Sequence, residues 1–500
     1  MSRTSEFYQF AGMDNVCTQI LGAIVGLIRT MKYPTIIQGG MGVAVSGWLL
    51  ARTVSKLGQL GVVSATALDV VLARKLQNGD PDGHLRRAIA AFPVEEIRGQ
   101  VLEDYFSPHG KAPGEPFRNV PLLGPDSPRS RVALVVLANF VEVFLAKEGH
   151  AGVVGVNLME KIQLPTLPAL YGAMLAGVDY VLMGAGIPRA IPQCLDRLAE
   201  GSDATLRLDV LGALKGEEFT SHFSPAEFCG GAAPVLRRPF FLPIVSSATL
   251  AITLARKSNG VVDGFVVEGS SAGGHNAPPR GQMQLNEKGE PVYGVRDLPE
   301  IEKIRDLGLP FWLAGAYGSP ERLAEARQLG AQGVQLGTPF AYCSESGMTD
   351  ELKTRVVRES IGARVDVFTD PKASPTGFPF KVVQVAGSVS EQEVRQARRP
   401  VCDLGVLRRA YRRDDGTVGF RCPSEPRDAF LRKGGEAVES EGRTCICNGL
   451  LATIGLGQMH DTGTEPPLLT AGEGVNELRR FIRDGETSYS AADVLQHMLS

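Results

Sequence analysis

From about residue 33 onward, short apolar runs alternate with amphipathic stretches of ten or more residues. The runs are Thr35 to Gln38, Gly61 to Ser64, Val153 to Asn157, Tyr180 to Met183, Phe241 to Val245, Phe265 to Glu268, Phe311 to Ala314 and Gly333 to Leu336. An unbroken apolar run of this length reads as a strand covered on both faces, as in a parallel sheet. The segments between them predict helices over Ser46 to Leu57, Leu68 to Leu76, His84 to Ala91, Leu134 to Lys147 and Leu167 to Ala176. Further helices are expected over Pro192 to Glu200, Ala248 to Lys257, Leu298 to Leu307 and Pro320 to Leu329. Eight strands with helices between them match the α/β class and the count of a (β/α)8 TIM barrel. A doubly wound sheet is the competing architecture and usually has fewer strands.

Two stretches break the rhythm. Residues 92–130 are rich in Pro and Gly and predict a loop insertion, and residues 202–238 predict a small hairpin excursion. After Ser344 the alternation is lost; Asp350 to Ile361, Ser390 to Arg398 and Val475 to Arg483 read as helices. The expected organisation is an N-terminal segment (1–32), a barrel (33–345) and a mainly helical, Cys-containing C-terminal extension (346–500).

Composition narrows the class. The 500 residues are 43% hydrophobic and 21% charged, ordinary for a soluble globular chain. A net charge of -3 gives no reason to expect nucleic acid or an acidic membrane surface as partner. The apolar stretch Ile20 to Ile28 is too short to span a bilayer and lacks the flanks of a signal peptide. Eight cysteines in so long a chain do not make a disulfide scaffold, so a cytoplasmic location is expected.

The loops after the strands carry the chemistry, because ligands of a barrel meet its strand C-termini. After the first strand comes Gln38-Gly39-Gly40-Met41-Gly42, which suits a backbone lying under a planar ring but also a plain tight turn. Strand 3 ends in Asn157 and strand 4 in Met183-Gly184-Ala185-Gly186. The loops after strands 7 and 8 hold Gly315-Ala316 and Gly337-Thr338. Paired glycine loops at these ordinals form the usual phosphate site of barrels, where backbone N–H groups and a helix N-terminus meet the dianion. A cofactor phosphate there, with small residues at strands 1 and 4, points to flavin mononucleotide (FMN). Strand 6 then delivers Gly273-Gly274-His275, a proton-transfer group on a flexible turn. Alternatively, His275 is a structural histidine. The irregular stretch that follows, up to residue 297, has the character of a lid.

Cys402, Cys422, Cys445 and Cys447 fall within 46 residues and include a Cys-x-Cys pair. So dense a set of thiols can bind zinc or an iron–sulfur cluster, or can be buried free thiols of a small subdomain.

Taken together, the chain resembles the nitronate monooxygenase (2-nitropropane dioxygenase) family. The resemblance rests on Ile37-Gln38-Gly39-Gly40-Met41-Gly42, Gly155-Val156-Asn157, Ala272-Gly273-Gly274-His275, Leu313-Ala314-Gly315-Ala316 and Gly333 to Phe340. Flavin-dependent enoyl-acyl-carrier-protein reductases resemble the same set. The resemblance implies non-covalent FMN held on a barrel, with His275 beside the flavin as base or orienting group. It implies either O2-dependent oxidation of an alkyl nitronate to a carbonyl compound and nitrite, or NAD(P)H-dependent reduction of an enoyl thioester carried by an acyl carrier protein. A non-catalytic barrel that holds a phosphate ligand is the reading from a different class. The two insertions and the long extension set this chain apart from compact relatives.

Overall fold

The computed structural model describes residues 33–483 and 485–500. The N-terminal segment, with its Ile20 to Ile28 run and Cys17, lies outside the described residues. Eight parallel strands form one sheet: Ile36–Gln38, Gly61–Ser64, Val154–Met159, Tyr180–Gly184, Phe240–Val245, Phe265–Glu268, Phe311–Ala314 and Gly333–Leu336. Numbered along the chain as barrel strands 1 to 8, strands 2 to 7 each pair with the next in sequence, and strand 8 pairs with strand 1. The expected TIM barrel is therefore present.

The seam between strands 1 and 2 closes through one parallel bridge, Ile37 to Leu60. Gln38 N–H donates to Leu60 O at 2.9 Å, and Leu60 N–H donates to Ile36 O at 3.1 Å. Past that point the backbones part, and the Gln38 side chain takes over. Its Oε1 accepts from Val62 N–H at 2.9 Å, while its Nε2 donates to Ser46 Oγ at 2.9 Å. Gln38, fully buried, is thus a seam residue.

Side chains alternate along each strand between the barrel interior and the helical shell. Ile37, Leu60, Val62, Tyr180, Leu182, Leu242, Val266, Trp312 and Ala314 fill the interior as one cluster. Ile36, Val63, Val181, Phe241, Val267 and Leu313 belong to the outer cluster, packed with helix residues such as Leu50, Leu137 and Leu170. The filled interior leaves only the mouth open to ligands.

The stretch 92–130 is not all loop. It contains a helix, Glu95–Tyr105, whose Ile97 and Val101 alone are buried. Two apolar residues spaced by four on an otherwise polar segment make too thin a stripe to stand out in sequence. The long shell helix begins at Arg129, five residues before the expected Leu134, because Arg129-Ser130-Arg131 masks its first turn. The segment expected as a helix from Val475 is a 3₁₀ helix, Glu473–Phe481.

The hairpin excursion is present, with Ala204–Arg207 antiparallel to Thr220–Phe223. It also lends Val210–Leu211 to a small sheet formed with Arg409–Arg412 and Val418–Arg421 of the extension. The extension carries helices Asp350–Ile361, Ile446–Thr453 and Ala491–Leu499, and also an antiparallel pair, Val367–Asp370 with Phe380–Val383. Residues Thr35–Ser500 form one compact unit, so barrel and extension share a body. Among the described residues, no helix is long and apolar enough to cross a membrane.

Candidate active site

A cavity of about 870 Å³ opens at the C-terminal mouth of the barrel. Its walls include Gly39, Gly40, Met41, Asn157, Gly184, Gly273, Gly274, His275, Gly315, Ala316, Gly337 and Thr338, which the sequence nominated separately. Gln38 is not among the lining residues; its amide is committed to the seam described above.

The first loop is drawn tight by Ser46. Its Oγ accepts from Met41 N–H at 3.0 Å and donates to Gly39 O at 2.9 Å. Gly40 presses against strand 3: a Cβ there would lie 2.4 Å from Asn157 Cβ. Asn157 Nδ2 donates to Gly40 O at 3.1 Å, which leaves its buried Oδ1 without a partner. Gln335, near the end of strand 8, likewise has a buried Oε1 with no partner. Two orphaned amide oxygens beside a glycine floor suit a flat heterocycle that offers N–H donors, so these residues fit a flavin ring.

On the far wall, Ala316 has a φ of 55° and Gly315 a φ of 99°, which turn the strand 7 loop back over the mouth. Ala44, Ala67 and Ala185, in the loops after strands 1, 2 and 4, also take positive φ. Non-glycine residues in this region store strain, and they gather at functional sites. Arg480, from the 3₁₀ helix of the extension, donates to Gly318 O at 3.1 Å and lines the cavity beside these loops. It brings a guanidinium, paired with Glu477, beside the glycine loops, which sequence reading missed because 162 residues separate Arg480 from Gly318.

His275 sits where the extension crosses the sixth-strand loop. Its Nε2 lies 2.7 Å from Ser374 Oγ, and its ring makes an edge contact with Phe380 at 4.7 Å between centroids. Backbone bonds pin the loop on either side: Lys381 N–H to Gly274 O and Asn276 N–H to Pro379 O, both 2.9 Å. Thr470 Oγ1 accepts from Gly274 N–H at 2.8 Å, and Thr338 Oγ1 accepts from Gly472 N–H at 2.8 Å. Gly273 is required for this approach, since a Cβ would stand 2.7 Å from Ala471 C. Burial pushes the His275 pKa down to about 4, so the imidazole is neutral at pH 7.

Glu268, which ends the sixth strand, also lines the cavity. Burial pushes its pKa up to about 8, so its carboxyl is protonated near neutrality. A carboxyl closing the apolar run Phe265-Val266-Val267 at a barrel mouth was the available sequence signal, and it went unused.

The four nominated cysteines do meet, around a cavity of only about 10 Å³ in the extension. Among the described residues, however, no group of three or more His, Cys, Asp or Glu could hold a metal ion. Burial pushes Cys445 up to about 11 and Cys447 well above the usual thiol range. A hydrogen bond with Cys422 does the same to Cys402. The four are free thiols, Cys422 buried and Cys402, Cys445 and Cys447 partly so, and their arrangement shows no zinc or iron–sulfur ligand set.

Residues 238–371 match the model of the family described as nitronate monooxygenase. A probable nitronate monooxygenase of Staphylococcus haemolyticus (strain JCSC1435) is 31% identical over 136 residues, which are 26% of this chain and 36% of that protein. The chain thus spans about a third of the length of that curated relative. Among solved structures, FabK from Thermotoga maritima covers 95% of this chain and 94% of its own at 15% identity, with a TM-score of 0.46. A nitroalkane oxidase from Streptomyces ansochromogenes covers 94% and 96% at 14% identity, also with a TM-score of 0.46. From barrel strand 5 through the first strand of the extension, the stretch that carries Glu268 and His275, this chain bears the pattern of the nitronate monooxygenase family.

Proposed function

We propose that the protein is an FMN-dependent oxidoreductase that oxidises alkyl nitronates with O2 to carbonyl compounds and nitrite. The observation that carries this reading is the meeting, in one cavity, of His275, the glycine floor Gly39–Gly42 and the two glycine loops after strands 7 and 8. Gly315, Ala316, Gly337, Thr338 and Arg480 would hold the FMN phosphate, and Asn157 and Gln335 the ring edge. When bound, FMN supplies a two-electron acceptor for the substrate.

The chain's own groups favour the nitronate anion over the neutral nitroalkane. A general base works best with a pKa near the operating pH, and His275 at about 4 is a weak one. The contact between Nε2 and Ser374 Oγ holds the ring in one orientation, from which it orients the substrate. Protonated Glu268 adds a hydrogen-bond donor without repelling an anion. Both groups are uncharged at pH 7, so neither repels an anionic nitronate. A second reading is NAD(P)H-dependent reduction of an enoyl thioester delivered by an acyl carrier protein. It draws on the same site, where neutral His275 and protonated Glu268 could orient a thioester carbonyl.

Anaerobic mixing of the purified flavoprotein with propyl 1-nitronate, and separately with NADPH, tests the proposal. Bleaching of the flavin by the nitronate alone supports it. Bleaching by NADPH alone supports the reductase reading and overturns the first.

A further inference from the structure

A second cavity of about 360 Å³ lies beside the first. Thr66, Ala67, Leu158, Met159, Val406 and Leu407 line both, so these residues form a shared partition. The chamber sits against the loops after strands 2 and 3 and reaches Thr376, which bonds to the Ser374 hydroxyl beside His275. Its outer wall comes from the extension, through Leu404 to Ala410 and Phe420. We propose that this chamber is a subsite for an extended alkyl chain carried by the substrate whose reacting end lies at His275. The inference rests on the reading of the main cavity given above.

The lining decides the occupant. Val135, Leu158, Ile162, Leu164, Leu208 and Leu407 face the space with aliphatic side chains. The charged side chains around it have partners, although Arg131 Nη1 and the amide Oδ1 of Asn139 stay buried without one and leave one polar spot on an otherwise aliphatic wall. Arg131 pairs with Asp69 at 2.5 Å and Lys161 with Asp209 at 3.1 Å. Arg408 donates to Gly405 O and Leu123 O and lies over the Phe420 ring at 5.1 Å. A charged or strongly polar ligand would have to compete with these partners, whereas methylene groups would only displace water. The partition is also one that a chain can pass: Thr66 and Ala67 are small, and Met159 is an unbranched side chain that repacks easily. The alkyl chain can belong to a nitronate or to an acyl thioester, and the chemistry recognised is the same.

The test is a chain-length series on the FMN-loaded protein. Ethyl to decyl 1-nitronates form one arm, and trans-2-enoyl N-acetylcysteamine thioesters with NADPH form the other. Each added methylene is expected to raise kcat/KM about threefold to fourfold until the chamber is full. Ala410→Trp, on the wall remote from the main cavity, is expected to flatten the series while leaving ethyl nitronate within about twofold. Ile162→Ala, which enlarges the space, is expected to move the optimum to longer chains. Calorimetric titration with 1-nitrooctane, a ligand that needs no turnover, is expected to show binding that Ala410→Trp abolishes. A flat series in the wild type, together with variants that change neither the series nor 1-nitrooctane binding, overturns the inference. Length-dependent binding without turnover in either arm sustains the chamber and overturns the oxidoreductase reading instead.

Discussion

His275 Nε2 and Ser374 Oγ stand 2.7 Å apart although 99 residues separate them in the chain. Ser374 Oγ is itself fixed, accepting from Thr376 N–H at 3.2 Å. Ser374→Ala should therefore retain FMN but free the imidazole to rotate. Loss of one such bond is worth about 1 kcal/mol, so kcat/KM should fall roughly fivefold. Ser374→Thr should restore most of it. His275→Ala should keep FMN and lose about 10²-fold or more. Steady-state kinetics with flavin content measured on the same samples checks both. Unchanged activity in His275→Ala would remove that residue from the chemistry.

The pH profile follows from the same histidine. Its folded pKa of about 4 is below the ordinary value of 6.5, so the unfolded chain binds the proton more readily between those limits. Stability contributed by the neutral imidazole is present above pH 6.5 and is lost as the pH falls toward 4. The acid limb of kcat/KM should likewise fall near pH 4. A limb near 6.5 would mean that the imidazole is solvated in the working enzyme.

Glu268 gives the opposite slope. Its folded pKa of about 8 exceeds the ordinary 4.5, so the folded state holds the proton that the unfolded state releases. Stability should decline as the pH rises from 4.5 toward 8. Glu268→Gln keeps the shape and cannot ionise, so its Tm should be less sensitive to pH across that window. Thermal melts of both proteins at pH 5.5 and pH 8 read the difference.

Much of the barrel is written locally. Gly61–Ser64, Phe265–Glu268, Phe311–Ala314 and Gly333–Leu336 are mainly apolar runs whose ends coincide with the strands, because a doubly covered strand is apolar along most of its length and turns polar only toward the mouth. The glycine loops were legible for a related reason, since close backbone approach at Gly40 and Gly273 excludes a Cβ. What escaped is set by contacts distant in sequence. Nothing local marks Ser374, Thr470 or Arg480 as partners of the sixth- and seventh-strand loops. The positive φ of Ala67, Ala185 and Ala316 is equally silent, because alanine carries no sign of a left-handed turn. Gln38 misled in a different way: it adjoins the glycine floor but serves the barrel seam.

Arg480 offers a separate check on cofactor binding. Arg480→Ala should weaken FMN by roughly tenfold to a hundredfold, the range for a hydrogen bond made by a charged group. Titration of apoprotein with FMN, followed by flavin fluorescence, measures it. Equal affinity in the variant would place the phosphate elsewhere.

Gly273→Ala probes the clasp between barrel and extension. The added methyl would meet the Ala471 backbone, so the loop or the strap must shift, at a cost of about 1–3 kcal/mol. A lower Tm with reduced FMN retention is expected, and a wild-type melt would contradict the packing described.

The clasp also bears on the order in which the protein is made. A ribosome adds residues from the N-terminus at a few to some tens per second, and early segments begin folding first. All eight barrel strands are complete by Leu336, but Ser374, Thr470 and Gly472 follow later. A nascent chain can therefore hold a closed barrel for several seconds while the histidine loop still lacks its strap. The strap over the histidine loop thus forms only after Ser374, Thr470 and Gly472 have been made.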